Sequence, residues 1–429
     1  MGLPTELWRL IFYFAAHVSR QPTSIESLID DWPNTGPDVM KESEYMNHPN
    51  VHSHRKATST KFALMRVCKT SHEVVFRLLY REIRLLSVDQ LDQLLVALET
   101  CTHQPAERRF GSWTKSLHVR AHHQYGFVDR LIKLISYFPN LEVFIIDQSV
   151  RTHENHDRLA RQLSSLCPRL GYLKCIHYEG GYNDSGTPHY LEIISTLKYF
   201  TGGWGGNMNS TVVQNATLTT LSISFGSGDF DPGGLDKTQF LRLPSLRHLR
   251  FRTEEVDDNT RRNLLSFMTL HGPQLFSLAI DAHSAAPAFR DGVLQKCTAL
   301  REYLVLNCRD EKTVWKGDPY PSVQRVGISL AFAGMQGRPA WYDMQPKTVT
   351  TALGIQVFPN LRLVTVVDVA LSNLSTSEVS GFAALFTNRQ GIYYEDANGF
   401  LIPAAEGRLG WKGFGVRGAL GRLWNEGRS

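Results

Sequence analysis

The chain has 429 residues, is 42% hydrophobic and 20% charged, and carries a formal net charge of +5. That length accommodates two or three ordinary domains, and the composition is that of a globular protein with a substantial core. So small an excess of positive charge, with no dense Lys/Arg run, argues against nucleic acid as a partner, and no apolar run reaches membrane-spanning length.

Six cysteines (Cys68, Cys101, Cys167, Cys175, Cys297, Cys308) show no close paired spacing, so neither a zinc module nor a disulfide framework is expected. A reducing compartment, cytoplasmic and/or nuclear, fits that usage, and no cofactor or metal is expected. Leu10 to Ala16 imitates a signal-peptide core but lacks a basic start and borders Arg9. Gly2 is followed at position six by Glu6, where myristoylation wants Ser or Thr. Asn209, Asn215 and Asn373 stand in glycosylation sequons, which matter only in a secreted chain.

The first element is a helix over Leu3-Pro4-Thr5-Glu6-Leu7-Trp8-Arg9-Leu10-Ile11-Phe12. Pro4 falls in the first turn, where proline is tolerated, and Glu6 suits the positive end of the helix dipole. Leu7, Leu10, Ile11 and Phe14 form one apolar stripe at i, i+3, i+4 and i+7; Trp8, Phe12 and Ala15 form a second beside it. A surface helix normally needs one such face. Either the helix is buried on several sides by its own domain, or one stripe packs internally and the other belongs to a partner. Residues 17–61 then hold Pro22, Pro33, Pro37 and Pro49 among many polar residues and read as a long loop, with a short helical turn at Ile25 to Asp30. His48, His52 and His54 have no cysteine or carboxylate in ligand register and read as solvated loop residues.

The next segment runs Phe62-Ala63-Leu64-Met65-Arg66-Val67-Cys68-Lys69 and on through Leu78-Leu79-Tyr80-Arg81-Glu82-Ile83-Arg84-Leu85. Leu-Pro-x-Glu-Leu-Trp-x-x-Ile-Phe, then Leu-x-x-Val-Cys-Lys, then Leu-Leu-Tyr-x-x-Ile-x-Leu together resemble the F-box of fungal F-box proteins. The resemblance covers residues 1–85 and is interrupted by the insertion at about 17–61, where the family has a compact run of three short helices. It implies an all-helical N-terminal domain that binds a Skp-type adaptor and, through it, a cullin. By motif match Leu3, Pro4, Leu7, Ile11, Leu64, Val67 and Cys68 form or support that contact. Cys68 itself reads as a small packed side chain within an apolar helix rather than a nucleophile.

From 86 to 399 an internal repeat takes over. Leu-x-x-apolar-x-apolar starts at Leu141, Leu170, Leu218, Leu246, Leu275, Val323 and Leu361, with weaker copies over 114–119, 197–200 and 300–306. Most steps are about 21 to 29 residues, close to the leucine-rich-repeat period. Pro139, Pro168, Pro244, Pro273, Pro321 and Pro359 each stand two residues before the first Leu or Val and end a segment of helical period. Each unit therefore reads as strand, loop, helix, proline, strand. Such a unit buries its apolar face only by stacking on neighbours. The expected fold class is α/β, an all-helical F-box followed by an irregular leucine-rich-repeat solenoid with a parallel inner sheet and outer helices. An ordinary doubly wound α/β domain is the alternative, disfavoured by about ten motifs at near-constant period. The regular Asn that many such repeats carry after the strand is missing.

No enzyme motif emerges. Gly202-Gly203-Trp204-Gly205-Gly206 lacks the dinucleotide fingerprint and a Walker lysine and reads as a loop in a shortened repeat. There is no Gly-x-Ser-x-Gly elbow and no His-Glu-x-x-His, and His118, His122 and His123 lack a fourth ligand. Residues 400–429, a basic Gly/Arg/Trp stretch, read either as a cap over the solenoid's end or as a tail. The resemblance implies a non-catalytic substrate-recognition subunit of a Skp–cullin–F-box ubiquitin ligase; the rival is a scaffold whose N-terminal helices only cap the repeats. For an unknown target protein, alternation along the strands selects Tyr172, Lys174, His248, Arg250 and Arg252 as projecting from the inner sheet, with Thr220, Ser222 and Ser224 leaving room between. A Lys/Arg/Tyr patch suits an acidic or phosphorylated segment, although Asp281 stands beside Arg252 in the next repeat and a lateral ion pair would satisfy both.

Overall fold

The structure is a computed structural model, and it describes residues 59–100, 110–119, 126–147, 153–176, 187–204, 213–225, 241–253, 258–282, 287–306, 319–328, 357–366 and 392–395. The first helix, with Leu3, Pro4, Leu7 and Ile11, the insertion up to 58 and the stretch 400–429 lie outside the described residues. The described residues fall into two compact units, divided in the chain between 245 and 246.

One local rule builds both units. A helix ends, a tight turn reverses the chain, and a short strand follows. In the turn Phe138-Pro139-Asn140-Leu141 the Leu141 amide donates to Phe138 O at 3.1 Å. Pro139 sits at the second turn position, where its fixed φ is already correct. The same bond closes Cys167 to Leu170, Gly272 to Leu275, Tyr320 to Val323 and Phe358 to Leu361. Proline's role here is thus to set a turn rather than merely to leave the chain extended. Stacking is fixed by a second recurring device, one carbonyl accepting two amides from the following repeat. Lys115 O takes Glu142 and Val143, Glu142 O takes Gly171 and Tyr172, and Gly171 O takes Lys198 and Tyr199. Arg247, Phe276, Arg301 and Gln324 do the same in the second unit.

In the first unit helical residues 59–65 lead through a turn to α1 (Lys69–Arg81), which passes without an intervening residue into β1 (Glu82–Leu85). Then come α2 (Val88–Thr100), a 3-10 turn η1 (Phe110–Trp113), β2 (Ser116–Val119), α3 (Phe127–Ser136), β3 (Val143–Asp147), α4 (His153–Leu166), β4 (Tyr172–Ile176), α5 (Thr187–Ile193) and β5 (Tyr199–Trp204). Beyond these lie β6 (Val213–Gln214), β7 (Thr220–Phe225) and β8 (Leu241–Arg242). The strands β1, β2, β3, β4, β5 and β7 pair in that order, all parallel and in strict register. Helices α2 to α5 pack side by side along one face. Leu117, Phe144, Leu173, Phe200 and Leu221 point to that face and are completely buried, each worth about 1.5–3 kcal/mol of transfer free energy. Past α5 the outer layer changes: β6 and β8 form a two-stranded parallel ribbon, with β6 beside α5. Gly111 is required in η1, because a Cβ there would lie 2.1 Å from Tyr137 O.

The second unit holds β9 (His248–Thr253), α6 (Asp258–His271), β10 (Ser277–Ala282), α7 (Pro287–Lys296), β11 (Glu302–Leu306), β12 (Arg325–Ile328), β13 (Leu363–Val366) and β14 (Tyr393–Glu395). Its six strands also pair in sequence order and in parallel. Helices α6 and α7 pack together, over a core that includes Phe267, Met268, Leu278, Ile280, Tyr303 and Val326.

Mixed α/β architecture with a long run of parallel strands, one per repeat, is therefore what the chain forms, and it is leucine-rich-repeat-like. All ten sequence motifs lie on strands. Two details differ from expectation. Residues 82–85, which the resemblance places in an all-helical segment, are the first strand of the sheet. Gly202 and Gly203, read as loop, belong to β5 and pair with Ile223 and Ser224, following the buried Tyr199 and Phe200. Glycine weakens a strand but does not break its ladder, and here β7 pairs with it along its length.

Candidate partner-binding surfaces

At the amino-terminal edge of the first unit the chain exposes apolar side chains. Phe62 is 50% exposed and Val67 68%, Leu64 is half-buried, and Cys68 is exposed. The helical stretch ends there: the amides of Arg66 and Val67 donate to Ala63 O and Leu64 O, and Cys68 O accepts the His72 amide to start α1. Cys68 is therefore an exposed residue at the junction of two helices, not a packed one within a helix. Lys61 faces the other way and is buried at 6% exposure. Burial pushes its ammonium below the usual lysine range, Glu82 opposes that, and Arg84 and Arg81 add to it.

Helix α1 carries His72, Phe76 and Tyr80 at spacings of four, a single stripe. His72 stacks on Phe76 with ring centroids 5.6 Å apart, and Tyr80 meets Phe76 edge-on at 5.0 Å. Two rings of η1 close the cluster: Phe110 lies flat on Tyr80 at 4.7 Å and edge-on to Phe76 at 5.4 Å, and Trp113 lies edge-on to Phe76 at 6.0 Å. The Arg77 guanidinium covers the Trp113 ring at 5.3 Å. Hydrogen bonds to the α1 carbonyls lock the same junction, with Thr114 Oγ1 donating to Tyr80 O at 3.0 Å and the Lys115 amide to Arg81 O at 2.9 Å. Phe76, Tyr80, Phe110 and Trp113 all remain half-buried, partly open to solvent. The sequence signal for this cluster is the aromatic spacing of four within α1 and the Phe110-x-x-Trp113 pair, neither of which falls in the repeat motif.

The inner face of the sheet, opposite the helices, divides by unit. In the first unit Tyr172 and Lys174 are half-buried on β4, as alternation predicts, and Val143, Ile145, Ser116 and His118 lie half-buried in register with them. Tyr172 stacks flat on Tyr199 at 4.0 Å, and Thr201 Oγ1 donates to the Tyr199 hydroxyl at 2.9 Å. Further along, Thr220 and Ser222 are buried, so they leave no open space between repeats.

In the second unit that face is closed over part of its width, while Tyr393, on its last strand, is 53% exposed. Arg250, expected to project from it, is only 3% exposed. Ser277, Ala279, Glu302, Leu304 and Thr365 are buried on the same face. Alternation determines which face a side chain leaves from; it does not determine whether the face meets water, and parallel sheets are commonly covered on both sides. The buried polar groups answer one another across strands: Arg325 Nη1 lies 3.8 Å from Glu302 Oε1, and its Nε donates to Thr365 Oγ1 at 3.0 Å. His248 is half-buried with its ring edge-on to Phe276 at 5.9 Å. Arg252 stands opposite Asp281 in the register, as expected. Of the five proposed target-reading residues, the structure brings Tyr172 and Lys174 together on one strand of the first unit, and His248, Arg250 and Arg252 together on one strand of the second.

Among the described residues no group of three or more His, Cys, Asp or Glu is placed to hold a metal, and no helix is long and apolar enough to cross a membrane. No family model matches the chain, and no curated protein matches it. A solved structure it resembles is that of the leucine-rich repeat-containing protein LegL7 from Legionella pneumophila, 14% identical, with the match covering 65% of this chain and 90% of that one at a TM-score of 0.38. That likeness is distant, and the repeat architecture rests on the strand register itself.

Proposed function

We propose that this chain is the non-catalytic substrate-recognition subunit of a Skp–cullin–F-box ubiquitin ligase, working in the cytoplasm and/or nucleus. Residues 1–85 hold the adaptor, residues 86–399 hold a target protein, and residues 400–429 follow as a cap or tail. The chain makes and breaks no bond; it raises the effective concentration of target lysines at a ubiquitin thioester carried by the assembly. The observation that carries this reading is that the residues of the Leu-x-x-Val-Cys-Lys pattern expose apolar surface where the motif assigns the adaptor, above all Val67 and its neighbour Phe62. The rival, a scaffold whose N-terminal helices merely cap the repeats, draws support from the direct passage of α1 into β1. A cap that served only the repeats would turn its apolar side chains inward, which Val67 does not.

The test is binding of a purified Skp-type adaptor to the full chain and to Leu7→Ala/Ile11→Ala. Anchors in such interfaces cost about 2 kcal/mol or more on truncation. The double variant is expected to lose the adaptor while its far-ultraviolet spectrum is unchanged. Undiminished affinity in that variant would remove the assignment.

A further inference from the structure

The residue just before each strand holds the same place in every repeat. In the second unit that place is taken in turn by Arg247, Phe276, Arg301, Gln324 and Arg362. Backbone bonds join them into a row: Phe276 N to Arg247 O at 2.7 Å, Arg301 N to Phe276 O at 2.9 Å, Gln324 N to Arg301 O at 2.8 Å and Arg362 N to Gln324 O at 2.9 Å. Arginine thus recurs on every second strand. Neighbouring strands lie about 4.8 Å apart, so consecutive arginines of the row stand about 10 Å apart. All three are exposed. Arg247 Nη1 donates to Gln274 O at 3.0 Å, and the Arg301 guanidinium lies over the Phe276 ring at 5.7 Å. None of the three forms an ion pair among the described residues. The acids among the described side chains of this unit are Asp291 and Glu302, and both are engaged elsewhere. Asp291 accepts the Tyr320 hydroxyl at 3.3 Å, and Glu302 is buried beside Arg325. In the first unit, by contrast, Glu142 neutralises Lys115 within the same row. In the turns just ahead of the arginine row, Pro273, Pro321 and Pro359 are exposed and give this edge an apolar margin.

We propose that this edge of the second unit binds an extended acidic protein segment that carries a carboxylate at every third residue. A polyproline-II chain has three residues per turn and rises about 3.1 Å per residue, so acids three apart share one face and stand about 9 Å apart. That repeat matches the arginine row. In a β-extended segment the acids of one face stand about 7 Å apart and fall out of step with it. Arginine suits carboxylates through its paired donors. Two of the three guanidiniums are already held, Arg247 by Gln274 and Arg301 by Phe276, so less side-chain freedom is lost on binding. Nucleic acid is the other polyanion, and the ring in the row disfavours it. Stacking of bases needs an open ring face, whereas Arg301 covers Phe276 and His248 meets it edge-on. The row belongs to the repeats alone, and the proposal stands whether or not residues 1–85 hold an adaptor.

The experiment titrates the full chain into a labelled peptide, Glu-Pro-Pro repeated four times, and reads fluorescence anisotropy at about 50 mM salt, where surface charges are incompletely screened. The unaltered chain is expected to bind. Arg247→Ala/Arg301→Ala/Arg362→Ala is expected to bind about tenfold or more weaker. Arg301→Gln/Arg362→Gln, which leaves the Arg247 bond in place, is expected to lose a smaller part of the affinity. Arg66→Ala/Lys69→Ala/Arg77→Ala removes the same charge from exposed positions of the first unit and is expected to bind as the unaltered chain does. A peptide of the same composition with its four glutamates consecutive is expected to bind about fivefold weaker or worse. Absence of binding by the unaltered chain, an equal loss in the two triple variants, or equal affinity for the two peptides each overturns the proposal. Binding of a single-stranded oligothymidylate that is tighter than that of the peptide and is lost in both arginine-row variants assigns the row to nucleic acid instead.

Discussion

Replacing Asn215 by alanine should destabilise the first unit more than any single substitution on its surface. Asn215 follows β6 and is 1% exposed. Its Nδ2 donates to Leu191 O at 3.2 Å and Ile194 O at 3.1 Å, at the end of α5. Its Oδ1 accepts the amides of Thr217 at 3.1 Å and Leu218 at 3.0 Å, and the Thr217 hydroxyl at 3.1 Å. The side chain thus closes the helix end of one repeat and the turn of the next. A neutral hydrogen bond contributes about 1 kcal/mol net, and a buried group left without a partner costs about 1–3 kcal/mol. Alanine strands the Leu218 amide and the Leu191 carbonyl in the core, so the expected loss is about 3–5 kcal/mol, a large share of the roughly 5–15 kcal/mol of an ordinary domain. Urea unfolding followed by tryptophan fluorescence reads the loss, and amide exchange at Leu218 locates it. A loss below about 1 kcal/mol, with Leu218 still protected, would show that Asn215 is not the clamp described. The same burial means that its sequon carries no glycan in the folded protein.

Burial pushes the thiols of Cys167 and Cys297 from an ordinary value of 9.0 up to about 12. Peptide mapping after brief thiol alkylation of the native chain at about pH 8 should therefore find Cys68 modified, and Cys167, Cys175 and Cys297 protected until denaturant is added. For the two raised thiols the sign runs one way: their contribution to stability is intact below about 9 and is lost as pH climbs from there toward 12, because the unfolded chain releases those protons first. On the inner face, Tyr172→Ala/Lys174→Glu should change which proteins the full chain captures while leaving adaptor affinity unaltered; an unchanged set would mean that this face does not read the target.

How much of this was legible in the sequence depends on which interaction each residue answers to. Phe144 and Ile146 announce a strand because burial on a pleated surface has period two and needs no knowledge of the neighbours. Pro139, Pro168, Pro321 and Pro359 announce the turns because proline's φ is local. Both kinds of signal survive in a single chain without context. Arg250 shows the limit. Its direction follows from the same alternation, yet its burial depends on what covers the second face of the sheet, which no local pattern encodes. Glu82 to Leu85 shows another: the segment resembles the end of a helical module, and only the presence of β2 alongside, with Ile83 opposite Leu117, makes it a strand. The exposure of Cys68 was likewise hidden, since apolar residues on either side gave it the look of a core position.

The turns that precede the strands share a side-chain bond that no single letter marks. At the third position of its turn, Asn140 donates through Nδ2 to Ser112 O at 2.8 Å, one repeat back. Thr217 reaches Ser195 O at 2.6 Å, Ser245 reaches Ala216 O at 2.6 Å, and Asn360 reaches Pro321 O at 2.8 Å. In each case the acceptor is the carbonyl at the second position of the preceding turn. Asn, Thr and Ser all serve, because the geometry asks only for a short side chain with a donor. A ladder with interchangeable donors leaves no single-letter consensus, so the repeat is regular in its bonds while irregular in its letters. Since these bonds run along the turns and the burial lies between sheet and helices, neither constrains the half-open side chains on the inner face of the first unit. That face is where Tyr172 and Lys174 can stand without disturbing the turn ladder, and it is where target contact is proposed.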